Sequence, residues 1–394
     1  MRISGDFIEI EYSQKNKSGN IVCGDNLISY KQNKGGRVIS VLSDGLGSGI
    51  KASVLSTITS SMLMNFSKMY DDIVTASSSI LKTLPKDEKR KISYSTFCVC
   101  DIDCFGNVKM VEYETPPFYL YRNGEFIDIA KTNVPVERDD LENTSLSISE
   151  FTMQKEDRII FFSDGVNQSG MGSRNMPFGW EEGCKDYISG IIRDNPQMSA
   201  KELSQKIVRK AEENDSLQLK DDTTCCVIYM RKPRNLLICT GPPYDEKNDV
   251  MLVNIVKNFP GKKIICGGTT AHIMSRETGK DIVQSLDTLD RELPPVSYME
   301  GIDLITEGIL TLSKVERILS GENDYPRKSG SAADKLMKLI IDSDKIAFLV
   351  GTRINTAHQD PTLPIELEIR RNVIKKIKTL LEEKMLKNVD LTYI

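Results

Sequence analysis

Apolar and polar residues alternate over Phe7-Ile8-Glu9-Ile10-Glu11-Tyr12, the period-two pattern of a half-buried strand. After a polar turn at 15–19, further strands are expected at about 20–23 and 37–42, the second entering a glycine-rich loop. Residues 52–69 are rich in Ser, Thr, Met and Leu, lack Gly and Pro, and predict a helix packed on a sheet; 72–84 predict another. Strands follow at 95–101, 108–114, 118–121 and 125–130, with turns at Phe105-Gly106-Asn107 and Arg122-Asn123-Gly124. The strand at 158–163, helices at 180–193 and 200–214, and a strand at 224–230 complete this portion. Strands, a helical pair, more strands and then helices make an α+β layout.

The basic, proline-containing stretch Arg231-Lys232-Pro233-Arg234 marks a domain boundary, giving domains 1–232 and 233–394. Beyond it the rhythm changes. A strand at 235–239, helix at 250–258, strand at 263–266 and a helix after Gly268 alternate as in a smaller α/β domain, with a further strand at 346–350. The segment 365–386 reads as a long amphipathic helix with a basic polar face. A solvated face is the ordinary meaning of that charge; association with a partner or a second copy, as in a homodimer, stays open.

Composition narrows the function. The chain has 394 residues, 27% charged and 39% hydrophobic, with a net charge of −4, so there is no global field to attract nucleic acid or an anionic membrane. No apolar run approaches the ~20 residues that span a bilayer, and the acidic start is unlike a secretion signal. Nine cysteines without such a signal predict reduced thiols in a cytoplasm. The Cys98, Cys100, Cys104 cluster reads as part of a strand. Only two histidines occur, His272 and His358, so chemistry in the first 270 residues runs without imidazole.

Four acidic turns stand out: Cys23-Gly24-Asp25, Ser43-Asp44-Gly45, Ser163-Asp164-Gly165 and Asp221-Asp222-Thr223-Thr224. Two of them follow apolar strands, where a carboxylate is costly unless paired, hydrogen-bonded or bound to a cation. Oxygen-only donors suit Mg²⁺ or Mn²⁺, and carboxylates from separate strands can hold two ions about 3.5–4 Å apart. A water bridging such ions becomes a nucleophile at neutral pH, and phosphate-ester hydrolysis then needs no Ser, Cys or His nucleophile. Any single Asp-Gly is ordinarily a turn; it is the set that points to chemistry.

The order GD, SDGLGSGIKAS, FFSDG and KDDTT before a final strand, with YSTFCVCDIDCFGNVKMVEYETPPFYLYRNGE between, resembles the SpoIIE-type phosphatases of the type 2C (PPM) metal-dependent serine/threonine family, over about residues 1–230. The resemblance implies an αββα sandwich and a site for two Mn²⁺ or Mg²⁺ ions. It carries over Asp25, Asp44, Asp164 and Asp221 as catalytic metal ligands, with the Gly45 carbonyl, and Asp222 at a position that varies in the family. It also implies that the helices after the Asp44 loop can act as an activity switch. Leu46 stands where many eukaryotic members have His, and no Arg near Asp25 matches the family's phosphate-gripping residue. Lys51, Lys34 and Arg37 are the alternatives for that charge, and water is the expected donor to the leaving group.

In the second domain three strands run into Thr240-Gly241, Gly267-Gly268-Thr269-Thr270 and Gly351-Thr352. Loops at the carboxyl edge of a parallel sheet gather where ligands sit, and a helix start with threonine hydroxyls favours an anion. An anionic small ligand at Gly267, Gly268, Thr269 and Thr270 is one reading; glycine turns of a docking domain are the other. Two functions compete for the whole chain: a phosphatase acting on phosphoserine or phosphothreonine in a protein substrate under control of the second domain, or a catalytically weak phosphatase-fold module that binds a partner or senses an anion. A response-regulator-like phosphoacceptor Asp accounts for only one acidic turn at a time.

Overall fold

The computed structural model describes residues 6–32, 36–69, 72–87, 92–93, 95–138, 144–285, 293–322, 330–353 and 363–394, without the side chains of 86, 87, 92, 93, 182 and 363–367. Lys34 and His358, singled out above, lie outside the described residues. The chain divides into two compact units, Met1–Lys232 and Pro233–Ile394.

The first unit runs β1 (Phe7–Lys15), β2 (Asp25–Lys31), β3 (Val38–Gly45), α1 (Ile50–Met69), α2 (Ile73–Thr83), β4 (Lys86–Asp87), β5 (Ile92–Ser93), β6 (Ser95–Ile102), β7 (Asn107–Tyr113), β8 (Tyr119–Arg122), β9 (Glu125–Ile127), β10 (Thr132–Pro135), β11 (Ser145–Thr152), β12 (Arg158–Phe162), α3 (Asp164–Asn167), α4 (Glu181–Asp194), α5 (Ala200–Asn214) and β13 (Thr223–Arg231). Its two large sheets have the orders β1-β13-β12-β8-β9 and β10-β11-β7-β6-β3-β2.

These sheets face each other. Ile8, Val38, Leu42, Cys98, Cys100, Ile159, Phe161, Cys226 and Ile228 share one buried cluster between them. The alternate residues of the same strands point outward. Ile160, Phe162, Val227 and Tyr229 pack on α4 and α5, while Ile39, Val41, Phe97 and Val99 pack on α1 and α2. Both faces of each central strand are covered, which is why 159–162 is a continuous apolar run and 38–42 is broken only by Ser40, rather than alternating. The result is an α+β, four-layer αββα sandwich.

Two expectations need correction. Residues 20–23 form an irregular, bent loop rather than a strand; the strand begins at Asp25, whose row DNLISYK mixes polar and apolar residues on a partly covered edge. Strands β10 and β11 are additional to those expected: β10 is short, mostly exposed and gives no signal, whereas Ser145-Leu146-Ser147-Ile148-Ser149 in β11 does alternate as a strand should.

The second unit contains β14 (Asn235–Thr240), α6 (Asp249–Asn258), β15 (Lys262–Cys266), α7 (Gly268–Thr278), β16 (Val283–Gln284), β17 (Ser297–Met299), β18 (Ile302–Thr306), α8 (Ile309–Ser320), α9 (Ala332–Ile341), β19 (Lys345–Val350), α10 (Leu363–Lys384) and β20 (Asn388–Tyr393). The sheet order is β16-β17-β18-β15-β14-β19-β20, and the five strands from β18 to β20 are parallel. Helices α6 and α7 cover one face, and α8, α9 and α10 cover the other. The winding reverses between β14 and β19, the arrangement of a doubly wound α/β sheet.

Candidate active site

The acidic turns come together at one end of the sandwich. Asp25 opens β2 and Asp44 nearly closes β3, and antiparallel pairing places them directly opposite each other. Asp164 starts α3 immediately after β12, and Asp221-Asp222 lead into β13, the neighbour of β12. Sequence positions some 200 residues apart thus share one corner because β2 and β3 lie in one sheet and β12 and β13 in the other.

Close backbone approaches hold these loops. A Cβ on Gly45 would lie 2.1 Å from the Ala52 carbonyl oxygen, so only glycine lets the Asp44 loop lie against the first turn of α1. A Cβ on Gly165 would lie 2.2 Å from the Asp222 carbonyl oxygen, locking the Asp164 turn against the last acidic turn.

Asp25 is 4% exposed. Its Oδ2 accepts from Ser163 Oγ and from Thr224 Oγ1, both at 2.7 Å. Each hydroxyl is itself an acceptor on its other side: the Thr224 N–H donates to Ser163 Oγ and Gln14 Nε2 donates to Thr224 Oγ1. Both hydroxyl protons are therefore directed to the carboxylate. The other oxygen, Oδ1, is buried with no hydrogen-bond partner. Asp222 repeats the pattern at 3% exposure: Oδ1 accepts from the Lys17 N–H at 2.9 Å, and Oδ2 is buried without a partner. Two half-satisfied carboxylates in one corner are expensive in the absence of a cation.

The electrostatics agree. Burial first, and then Asp222 and Asp164, push Asp25 up to about 7, against the lowering pull of Ser163 and Thr224. Burial first, and then Asp25, Asp164, Asp221 and Asp222, hold Asp44 well above the usual carboxylate range. The five carboxylates thus feel one another, although among the described residues no three acidic, His or Cys side chains already close on a single point as a preformed ligand set. A hard ion fills its shell with carbonyl and water oxygens as well, so the two orphaned oxygens and the all-oxygen donor set fit Mg²⁺ or Mn²⁺.

In front of this acidic wall is a pocket of about 270 Å³, lined by Lys17, Asp44, Gly45, Ser48, Asp164 and Asp221 together with Ser95, Thr96 and Glu114. Among the described residues that line this pocket, Lys17 is a cation that the sequence did not reveal. Its Nζ lies 4.0 Å from Asp221 Oδ1, and a lysine in a polar turn gives no periodic signal. Arg37, considered above for the same charge, is excluded: its guanidinium makes a two-pronged pair with Asp101, at 2.7 and 2.6 Å, away from this pocket. Lys51 is exposed and does not line the pocket. Asp222, at the variable position, is more deeply buried than Asp221, whose side chain is 45% exposed.

All nine cysteines are free thiols, with Cys98 and Cys100 in the layer between the sheets. No helix among the described residues is long and apolar enough to cross a membrane.

A search of curated protein sequences returns no significant match. Among solved structures, the phosphatase domain of the cell fate determinant SpoIIE from Bacillus subtilis is 19% identical, with 58% of this chain and 94% of that chain covered and a TM-score of 0.45. A longer piece of the same protein, its PP2C phosphatase domain with a fragment of the regulatory domain, is 20% identical, covering 57% and 63%, at a TM-score of 0.47. The catalytic domain of the serine/threonine phosphatase PstP, described in complex with two manganese ions, is 13% identical, covering 57% and 99%, at a TM-score of 0.40. The family model described as Stage II sporulation protein E (SpoIIE) matches residues 34–231, half of the chain, beginning just after Asp25 and ending with the last strand of the sandwich. On that match, the chain belongs to the SpoIIE family.

Proposed function

We propose that this protein hydrolyses phosphoserine or phosphothreonine in a protein substrate, using Mn²⁺ or Mg²⁺ held by Asp25, Asp44, Asp164, Asp221 and Asp222 and the Gly45 carbonyl. The observation that carries the reading is the pair of buried, partnerless oxygens, Asp25 Oδ1 and Asp222 Oδ2, behind a pocket walled by three more aspartates. When bound, two such ions neutralise phosphoryl oxygens and acidify water for attack on phosphorus.

The chain's own residues do the positioning. Ser163 and Thr224 fix one oxygen of Asp25 and so aim the other; the Lys17 N–H does the same for Asp222. Lys17 Nζ supplies the positive charge that grips the phosphate of the substrate as it enters. Gly45 seats the Asp44 loop on the first turn of α1, and Gly165 seats the Asp164 turn on the last acidic turn. No imidazole is present in this unit to protonate the serine or threonine alkoxide, so water takes that role. The second unit serves as the regulatory or targeting partner, and the free thiols suit a reducing cytoplasm.

Hydrolysis of p-nitrophenyl phosphate and of phosphoserine peptides with Mn²⁺ tests the reading. Activity should fall by about a hundredfold or more in Asp44→Asn and in Asp164→Asn. Inertness of the unmodified protein across divalent metals and phosphopeptides sinks it.

A further inference from the structure

The second unit carries polar groups that hydrolysis in the first does not use. Thr306, Cys266, Thr240 and Val350 stand in one register row across the four parallel strands β18, β15, β14 and β19. Just past that row, at the carboxyl edge, come Gly308, Gly267, Gly241 and Gly351. This is the edge at which doubly wound sheets take ligands.

Two helices of this unit start with donors already held by side chains, and in a third the acid is engaged elsewhere: Asp249, in the first turn of α6, pairs with Arg276 and makes no cap. Glu307 Oε2 accepts from the Leu310 N–H at the start of α8. Ser331 and Asp334 form a reciprocal cap on α9. Helix α7 differs: it has no acidic residue in its first turn and no side-chain cap, and it starts from Gly267 at φ 129°, with only the Gly267 N–H engaged, on the Thr306 carbonyl at 2.9 Å. The second, independent observation is Thr270. It is fully buried, and its Oγ1 has no hydrogen-bond partner. That oxygen is the nearest atom, at 3.9 Å, to the place a Cβ on Gly267 would occupy, so it points back into the open glycine turn. A buried hydroxyl without a partner costs about 1–3 kcal/mol, and it stands beside unclaimed helix N–H groups. From α10, Arg370 Nη1 comes within 2.7 Å of the Cβ position of Gly241, one residue past the row on the adjacent strand β14, adding positive charge to this edge.

We propose that the start of α7, with the Gly268 and Thr269 N–H groups and the Thr270 hydroxyl, binds the phosphate group of a small phosphorylated molecule. The helix N-terminus and guanidinium favour the anion, and the Thr270 proton completes its coordination.

The test uses the full chain carrying Asp44→Asn, in EDTA, so that the acidic corner of the first unit contributes no phosphate binding. Inorganic phosphate, pyrophosphate and ATP are titrated by calorimetry. Saturable binding is expected, with ATP tighter if the phosphate is carried by a nucleotide and equal affinities if the bare anion is read. Gly268→Asp places a carboxylate where the anion would sit; its Cβ meets nothing within 4 Å, so the fold tolerates it, and binding should weaken by about tenfold or more. Thr270→Val should also weaken binding, while its melting temperature does not fall, because the hydroxyl it removes is unsatisfied. Hydrolysis of p-nitrophenyl phosphate by Gly268→Asp, made without the Asp44 change, should be unaltered, which separates this site from the phosphatase reading. Unchanged affinity in Gly268→Asp, or no binding of any of the three probes at up to about 10 mM, where even a millimolar Kd registers, overturns the proposal.

Discussion

Replacing Asp25 by Asn should stabilise the protein when it is metal-free and destabilise it, relative to the unmodified chain, when Mn²⁺ is present. The side chain keeps one acceptor for Ser163 and Thr224, and it puts an amide in place of the orphaned Oδ1 among neighbouring carboxylates. The size of the effect follows from the charge removed. Asp25 is lifted from 3.8 to about 7, a gap on the order of 4 kcal/mol at 1.36 kcal/mol per unit. Asp25, Asp44 and their neighbours share the strain of the cluster, so removing one of them recovers about half, or about 2 kcal/mol. For a domain of this size that is a rise of about 4–8 °C in melting temperature.

The sign depends on pH. A carboxyl whose folded value is raised stabilises the fold fully below its unfolded value, and that contribution is lost as pH rises through the folded value. The metal-free parent should therefore lose stability relative to Asp25→Asn between pH 3.8 and about 7, so the two should nearly coincide at low pH and differ by the full amount above neutrality. Trp180 is the chain's one tryptophan, is 4% exposed and lies in the first unit, so its fluorescence follows that unit's melting alone. In EDTA above neutral pH the variant should melt higher; on adding Mn²⁺ the parent should overtake it. A variant that melts lower in EDTA, or gains as much from Mn²⁺ as the parent, would refute the account of Asp25 as a buried charge awaiting a cation.

Much of this corner was legible because glycine and aspartate repeat together at strand ends. Strands β3 and β12 announced themselves as apolar runs, and the turns after them marked where carboxylates emerge. What the sequence hid was relational. Whether Asp222 or only Asp221 faces inward depends on the Lys17 N–H, a backbone donor that no residue type signals. Arg37 looked available until β3 paired with β6 and set it beside Asp101. Helix α1 hid its orientation too: it buries Ala52, Ser56, Thr59 and Ser60 against the sheet and leaves Val54 and Ile58 half exposed, so its polar and apolar faces give no amphipathic stripe. In the second unit Thr270, not the preceding Thr269, proved to be the fully buried hydroxyl, a distinction set by helix phase rather than by the Gly-Gly-Thr-Thr motif.

Lys17→Met tests the phosphate grip. Loss of one charge-assisted contact, about 1.5–3 kcal/mol, should lower kcat/KM for p-nitrophenyl phosphate by about tenfold to a hundredfold, mainly through KM, while Mn²⁺-dependent melting of the Trp180 signal persists. Gly165→Ala tests whether the Asp164 turn is locked to the last acidic turn. The added methyl would stand 2.2 Å from the Asp222 carbonyl oxygen and 2.7 Å from Thr223 Oγ1, and because the first is backbone, rotation of a side chain cannot relieve it. The strand β13 behind it is buried along its whole length, so the α3 turn must yield instead, carrying Asp164 away from Asp221. The expected cost is about 1–3 kcal/mol in stability, with a proportionally larger loss of hydrolysis and of Mn²⁺-induced stabilisation, since the displaced group is part of the acidic corner. Full activity in a variant whose melting temperature has dropped would show that Asp164 does not need its present position, and the corner would have to be redrawn without it.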